Sequence, residues 1–345
     1  LGALANGSST GAAVGYLANG SANGSAVGFQ ANGSSSGGAV GYEANGGAKG
    51  VAVGYQANGL TNGAAIGYQA NGYLEGVAVG YLARGIESGV AVGTLADGYY
   101  YGAALGREAN AHYGGVAVGY QAAGISNGAA LGLVANASLW GVAVGSLANG
   151  SDFGAAAGRE SEGYNYGAAV GYLANGINRG VAVGSQANGN SGGAVVGYQA
   201  TGNLYGASLG YQANSYYYGV AAGFQANGYD EGAAIGDVAN GNYYGAAMGY
   251  AANGSTNGAA MGYQANGHNY GAAMGQEANG VEYGAAIGYQ SRGDYYSASL
   301  GFGAQSSTSS VAVGNQSFAA DNGVAVGSFA NGNTKGAAVG SEADG

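Results

Sequence analysis

The sequence predicts an all-β protein, a parallel β-solenoid of about 26 coils, each coil being one 13-residue repeat. The repeat unit stays in phase along residues 1–345 and is punctuated by glycine. With Gly11 taken as position 1, position 5 is glycine in all 27 occurrences, position 1 in 24 of 26 and position 10 in 22 of 27. A short, regular period is the signature of a solenoid, in which each coil packs only on its neighbours. We therefore expect one continuous array over residues 1–345, with looser repeats over residues 297–322.

Each unit contains two segments that we predict as short strands. Positions 2 to 4, such as Val51-Ala52-Val53, are apolar and alternate between two faces, and positions 6 to 8, such as Tyr55-Gln56-Ala57, form the second candidate. Asn58-Gly59 then has the composition of a tight turn. The apolar columns at positions 3, 4 and 8 are expected to fill a narrow interior. Coils stacked about 4.8 Å apart predict a rod on the order of 125 Å long.

Composition argues against several classes of function. The net charge of -10 comes from 17 acidic and 7 basic residues without a basic stripe, so nucleic acid is not an expected partner. There is no cysteine for a disulfide or a thiolate metal site, and no apolar run approaches the length of a membrane helix. His112 and His268 lie far apart in variable positions, and the acidic residues do not recur as facing pairs. We expect no enzyme activity, no cofactor and no metal.

Position 6 carries the first candidate feature, a column of aromatic residues in 15 of 27 occurrences. Stacked coils would turn this column into a ladder of rings that stabilises the stack or packs on a neighbouring chain. Its principal members are Tyr16, Tyr42, Tyr55, Tyr68, Tyr81, Tyr250 and Tyr263.

The variable triplet at positions 11 to 13 carries the other 18 tyrosines and is the candidate binding surface. Exposed rings can stack on sugars or contact proteins, and repetition converts weak contacts into avidity. The alternative is a solvated loop whose rings only cover the glycine-rich backbone. The clearest clusters contain Tyr99, Tyr100, Tyr101, Tyr216, Tyr217, Tyr218, Tyr243, Tyr244, Tyr295 and Tyr296.

Asparagine occupies position 9 in 18 of 27 occurrences. The residue type and the glycine that usually follows it indicate a turn, with a stacked ladder of side-chain amides as a further expectation.

One stretch of the chain resembles a known family. Ser310-Val311-Ala312-Val313-Gly314-Asn315-Gln316-Ser317-Phe318-Ala319 looks like the head repeat of YadA-type trimeric autotransporter adhesins, and Gly50-Val51-Ala52-Val53-Gly54 is a looser match of the same kind. The resemblance implies a left-handed β-roll with three chains side by side at the tip of a bacterial surface fibre. Similar repeats are also found in phage tail fibres.

The sequence therefore leads to two main functional hypotheses. The first is an extracellular adhesin head, a rod that attaches to a matrix protein or glycan through its tyrosine-rich loops. The second is a structural subunit that polymerises end to end into an extracellular filament. A phage tail fibre segment and an ice-binding solenoid are lesser alternatives. Both main hypotheses place the protein outside the cell or on its surface, as a homo-oligomer, without insertion of this segment into a membrane.

Overall fold

The predicted fold class is confirmed. A computed structural model describes residues 2–345, and the described chain is all-β, with two parallel strands in each 13-residue coil and no helix. The coils build a parallel β-solenoid of about 26 turns. The coils divide into two compact units, one ending at Ile177 and the other beginning at Asn178.

Positions 2 to 4 form the strands of the first sheet, called sheet 1 here. Every strand of sheet 1 is three residues long, and the strands follow one another in steps of 13 residues. In the first unit they run from Ala12–Val14 to Ala168–Val170, and in the second from Val181–Val183 to Ala337–Val339.

Positions 9 to 11 form the strands of sheet 2. They run from Asn6–Gly7 to Asn175–Ile177 in the first unit and from Asn188–Asn190 to Asn331–Gly332 in the second, again in steps of 13. Most contain three residues. The strands with two residues are Asn6–Gly7, Asn19–Gly20, Asn32–Gly33, Arg292–Gly293, Gln305–Ser306, Phe318–Ala319 and Asn331–Gly332. The first three and the last four strands of sheet 2 are therefore shorter than the rest.

Pairing within each unit is parallel and joins every residue to its equivalent in the next coil. Val51, Ala52 and Val53 pair with Ala64, Ala65 and Ile66, for example. Identical positions therefore lie above one another, so each column of the sequence becomes a continuous stripe on the protein.

The predicted second strand at positions 6 to 8 is wrong. Tyr55 and Gln56 lie in a turn, because Gly54 has φ of 136° and Gln56 has φ of 50°, both outside the extended region. The chain then re-enters a strand at Asn58–Leu60. The turn expected at Asn58-Gly59 is wrong for the same reason, since the reversals fall at positions 5 to 7 and at positions 12 and 13.

Alanine and glycine fill the interior. Ala52 at position 3 and Ala57 at position 8 are completely buried. A Cβ atom on Gly59 at position 10 would lie 2.0 Å from the Val51 carbonyl oxygen, and a Cβ on Gly50 would lie 2.1 Å from the Gly59 carbonyl oxygen. Glycine at positions 1 and 10 therefore allows the two sheets to approach more closely than side chains would permit.

The prediction that position 4 lies in the interior is wrong. Val53 is 37% exposed and Ile66 45% exposed. Since successive side chains of a strand point to opposite faces, burial of alanine at position 3 sends positions 2 and 4 outward. The interior contains only the small columns.

Buried serines replace alanine or glycine in a few coils, and each has a hydrogen-bond partner. The hydroxyls of Ser208 and Ser215 are 2.6 Å apart, and Ser299 and Ser306 form the same pair at 2.6 Å. In the looser repeats Ser310 donates to the carbonyl oxygen of Ala319 at 2.9 Å. The interior thus accepts polar groups where they satisfy one another.

Candidate binding surface

The position 6 ladder lies on the corner that connects sheet 1 to sheet 2. Consecutive rings from Tyr16 through Phe29 to Tyr81 have centroids 4.9–5.3 Å apart and planes within 15° of parallel. Tyr250 and Tyr263 stack in the same way at 5.1 Å. The stacked faces cover one another, so the ring edges and hydroxyls form the solvent-facing side of this ladder.

Arginine replaces the aromatic residue in two coils and continues the stack. The Arg107 guanidinium lies 5.2 Å from the centroid of Tyr120, and Arg159 lies 5.3 Å from Tyr172. Each arginine also pairs with the neighbouring glutamate, Glu108 in one coil and its equivalent in the other, at 3.1 Å and 2.8 Å. These groups belong to the ladder as cation–π members.

Amide ladders run beside the aromatic one. Asn19 donates to Asn32, and the series continues through Asn45 and Asn58 to Asn71, with distances of 3.2–3.4 Å. At position 7 the Gln69 amide donates to Gln56 at 2.8 Å. The expected asparagine ladder therefore exists, but on a strand of sheet 2 rather than in a turn.

The tyrosine-rich triplet spans the end of a sheet 2 strand and the corner leading back to sheet 1, called the tyrosine corner here. Tyr99 and Tyr216 end strands, whereas Tyr100 and Tyr101 are corner residues with φ of 44° and 60°. The corner backbone is held between coils, as where the Tyr101 amide donates to the Glu87 carbonyl at 3.1 Å. Such bonds compensate for left-handed conformations that cost L-residues about 1–2 kcal/mol each.

Rings at the tyrosine corner meet in two geometries. Neighbours along the chain meet edge to face, as Tyr99 and Tyr100 do at 4.5 Å, Tyr216 and Tyr217 at 4.7 Å, and Tyr295 and Tyr296 at 4.9 Å. Rings in successive coils stack, as Tyr205 does on Tyr218 at 5.2 Å. The remaining predicted residues, Tyr243 and Tyr244, are corner residues that are both well exposed.

Acidic side chains border these rings and form two clefts. The first, about 300 Å³, is lined by Thr61, Leu74, Glu75, Glu87, Ser88, Tyr100 and Tyr101. The second, about 240 Å³, is lined by Tyr217, Tyr218, Asp230, Glu231 and Tyr244. A hydrogen bond to Glu87, reinforced by its negative charge, raises the pKa of Tyr100 to about 12. Aromatic rings beside carboxylate acceptors suit sugars and cationic groups.

Sequence reasoning missed a continuous apolar surface on the outside of sheet 1. We call the outward side chains of positions 2 and 4 on sheet 1 the apolar face. Position 4 is always Val, Leu, Ile, Met or Ala in these strands, and position 2 is Ala or Val except at Ser25 and Gly38. The alternation of the strand was the available signal, because burying position 3 exposes both neighbours.

Groups with metal-binding or catalytic chemistry are sparse. Residues 2–345 contain no cluster of three or more His, Asp or Glu side chains that could hold a metal ion. His112 lies 3.4 Å from Asp97, and the His268 ring nitrogen lies 2.6 Å from the Ser255 hydroxyl. None of the described residues forms a helix of the length and hydrophobicity needed to cross a membrane.

Comparison with known proteins does not name a family. No protein-family model matches the chain, and no curated protein matches it significantly.

Proposed function

We propose that this chain is an extracellular fibrous element, an adhesin head-like solenoid that attaches to surfaces multivalently through its tyrosine corners. The observation that carries the proposal is the separation of two kinds of surface on each coil. An apolar face covers the outside of sheet 1, and the tyrosines lie at a corner. One surface is suited to joining copies of the chain and the other to contacting a ligand.

The apolar face supports side-by-side association with further copies of this chain. A strand about 10 Å long and a coil spacing of about 4.8 Å give roughly 48 Å² per coil. Over the 13 strands of sheet 1 in one unit, this is about 620 Å² per partner, or about 1,240 Å² buried in a pair. Stable interfaces bury about 1,200–2,000 Å². A face of this area without a charged residue is larger than monomers usually leave in water.

Weak ligand contacts would gain strength from repetition. The tyrosine clusters near Tyr100, Tyr217, Tyr243 and Tyr295 offer similar edges to a matrix protein or glycan. An oligomer with the apolar faces joined multiplies the number of corners, so avidity can exceed the affinity of any single cleft by orders of magnitude. No catalytic step or cofactor is part of this proposal.

The second candidate function is a structural subunit of an extracellular filament. It is favoured by the apolar side chains that recur at position 4 in every coil of each unit, from Val14 to Val170 and from Val183 to Val339. A uniform face allows staggered as well as aligned neighbours, and staggered neighbours extend an assembly without limit.

Two measurements test the proposal. Sedimentation velocity should show an oligomer that Val53→Lys, Ile66→Lys and Val79→Lys together dissociate. Gln56→Lys, Gln69→Lys and Gln121→Lys, at the corner beside the aromatic ladder, add the same charge outside the apolar face and should leave the oligomer intact. A wild-type monomer at all concentrations would contradict the side-by-side assembly. Electron microscopy then separates discrete particles, as expected for an adhesin, from long fibres, as expected for a filament.

Attachment is tested separately on surfaces coated with matrix proteins or glycans. Replacing Tyr100, Tyr101, Tyr217, Tyr218, Tyr243 and Tyr244 by serine removes most of the clustered rings and should strongly weaken attachment without changing the oligomer. Equal attachment by this variant and the wild type would argue against the tyrosine corners as the binding surface and favour the filament.

A further inference from the structure

The three methionines of the chain lie together on the apolar face. Met248, Met261 and Met274 end three consecutive strands of sheet 1 and pair in register, Met248 with Met261 and Met261 with Met274. The coils before and after them carry Ile235 and Ile287 at the same position. The methionines therefore form one stripe, which we call the methionine stripe.

The stripe borders a groove of about 240 Å³ whose lining is almost entirely apolar. Position 2 is alanine in every coil from Ala233 to Ala285, whereas valine occupies this position in many other coils, such as those of Val77 and Val90. The short alanines leave space beside the long methionines. Met248 and Met261 are each 47% exposed, and Met274 is 50% exposed. All three thioethers thus reach solvent when the face is uncovered.

The chemistry of a thioether distinguishes this stripe from the rest of the face. Hydrogen peroxide transfers one oxygen atom to the sulfur, giving a sulfoxide and water, so that the sulfur is oxidised and the peroxide O–O bond is reduced. The chain contains no cysteine to compete for the oxidant. The sulfoxide is polar and accepts hydrogen bonds, and the apolar lining of the groove offers it no donor.

We propose that the methionine stripe is an oxidation site through which peroxide weakens the association of copies of this chain. The inference rests on the proposed side-by-side assembly through the apolar face. Three sulfoxides in consecutive coils convert the middle of an apolar stripe into a polar one, and burying them against a second copy leaves them without partners. Valine, leucine and isoleucine elsewhere on the face have no comparable reaction.

The test compares the full chain with a variant carrying Met248→Leu, Met261→Leu and Met274→Leu. Leucine is a conservative control because Leu105, Leu131, Leu209 and Leu300 occupy the same position in other coils. Each protein is treated with hydrogen peroxide, the sites are mapped by mass spectrometry, and the dissociation constant is measured by sedimentation velocity. Methionine sulfoxide reductases are then used to reverse the modification.

We expect the wild type to gain three oxygen atoms and its dissociation constant to rise by at least about tenfold, with recovery after reduction. The leucine variant should associate as the wild type does and should not respond. Full oxidation without a change in association, an equal response of the leucine variant, or methionines that stay unmodified would each overturn the inference. If untreated wild type does not associate at all, the proposed assembly itself fails, which is a separate and recognisable result.

Discussion

Ala52 and Val53 are adjacent residues of one strand whose side chains point to opposite faces, Ala52 into the interior and Val53 outward. Ala52 is completely buried against sheet 2, whereas Val53 is 37% exposed on the apolar face. The same contrast recurs in the next coil, between Ala65 and Ile66. Side-chain size is thus distributed in the reverse of the usual order, with the small residue inside and the large one outside. The reason is the close approach of the two sheets, which leaves no room for branched side chains.

This arrangement predicts opposite sensitivities for neighbouring residues. Ala65→Leu should lower the free energy of unfolding by about 1–3 kcal/mol because the interior cannot accept the added atoms. Ile66→Ser should change it by no more than about 0.5 kcal/mol at protein concentrations where the chain is monomeric, since that side chain is already largely in water. Denaturant unfolding measured by circular dichroism compares the two. A larger loss for Ile66→Ser than for Ala65→Leu would contradict the assignment of inside and outside.

The period, the parallel register and the first strand could all be predicted from the sequence. They follow from invariant glycines and from the apolar triplet at Val51–Val53, which are local signals. The second strand was misplaced because Asn58-Gly59 has the composition of a tight turn, which favoured the preceding segment Tyr55-Gln56-Ala57 as the strand. The left-handed conformation of Gln56, a residue without that preference, settles the matter in favour of Asn58–Leu60.

The surfaces were only partly predictable, for a related reason. The ladder from Tyr16 to Tyr81 required only the period, since equal spacing stacks equal residues. To predict the apolar face, one has to know which column is buried, and hydrophobicity alone favours burying Val53 over Ala52. The clefts at Glu87 and Glu231 depend on contacts between variable residues of successive coils, which no single repeat reveals.

Gly54 and Gly38 provide a matched comparison of a position that requires glycine and one that does not. Gly54 has φ of 136°, and a Cβ atom there would lie 2.3 Å from the carbonyl oxygen of Gly67, whereas a Cβ on Gly38 would meet no atom within 4 Å. Gly54→Ala should therefore lower the free energy of unfolding by more than about 2 kcal/mol. Gly38→Ala should raise it by about 0.4–1 kcal/mol by restricting the unfolded chain. Hydrogen exchange in the flanking coils should show lost protection only for the first variant, and equal protection in both would argue against strain at Gly54.

The aromatic ladder should contribute to stability through its ring faces. Tyr55 lies between Tyr42 and Tyr68 with centroid distances of 4.9 Å on both sides. Tyr55→Ser removes two stacked pairs and should cost about 1–3 kcal/mol, given about 0.5–1.5 kcal/mol for each pair. Tyr55→Phe keeps both stacks and should be close to neutral. The thermal unfolding midpoints of the two variants distinguish the contribution of ring stacking from that of the hydroxyl. A Phe variant as unstable as the Ser variant would show that the Tyr55 hydroxyl, and not the stacking, provides the stabilisation.

Tyr100 should titrate later than an ordinary tyrosine. The hydrogen bond to Glu87 and the charge of that carboxylate raise its pKa from 10.0 to about 12 in the folded chain. Because the folded pKa lies above the unfolded one, the protonated phenol stabilises the fold at pH values below about 10, and this contribution is lost as the pH rises through about 12. Carbon NMR of labelled tyrosine, with the Tyr100 signal assigned from its absence in Tyr100→Phe, measures the titration. Glu87→Ala removes both the hydrogen-bond acceptor and the charge and should return the pKa of Tyr100 toward 10, so an unchanged titration in that variant would show that Glu87 is not the cause.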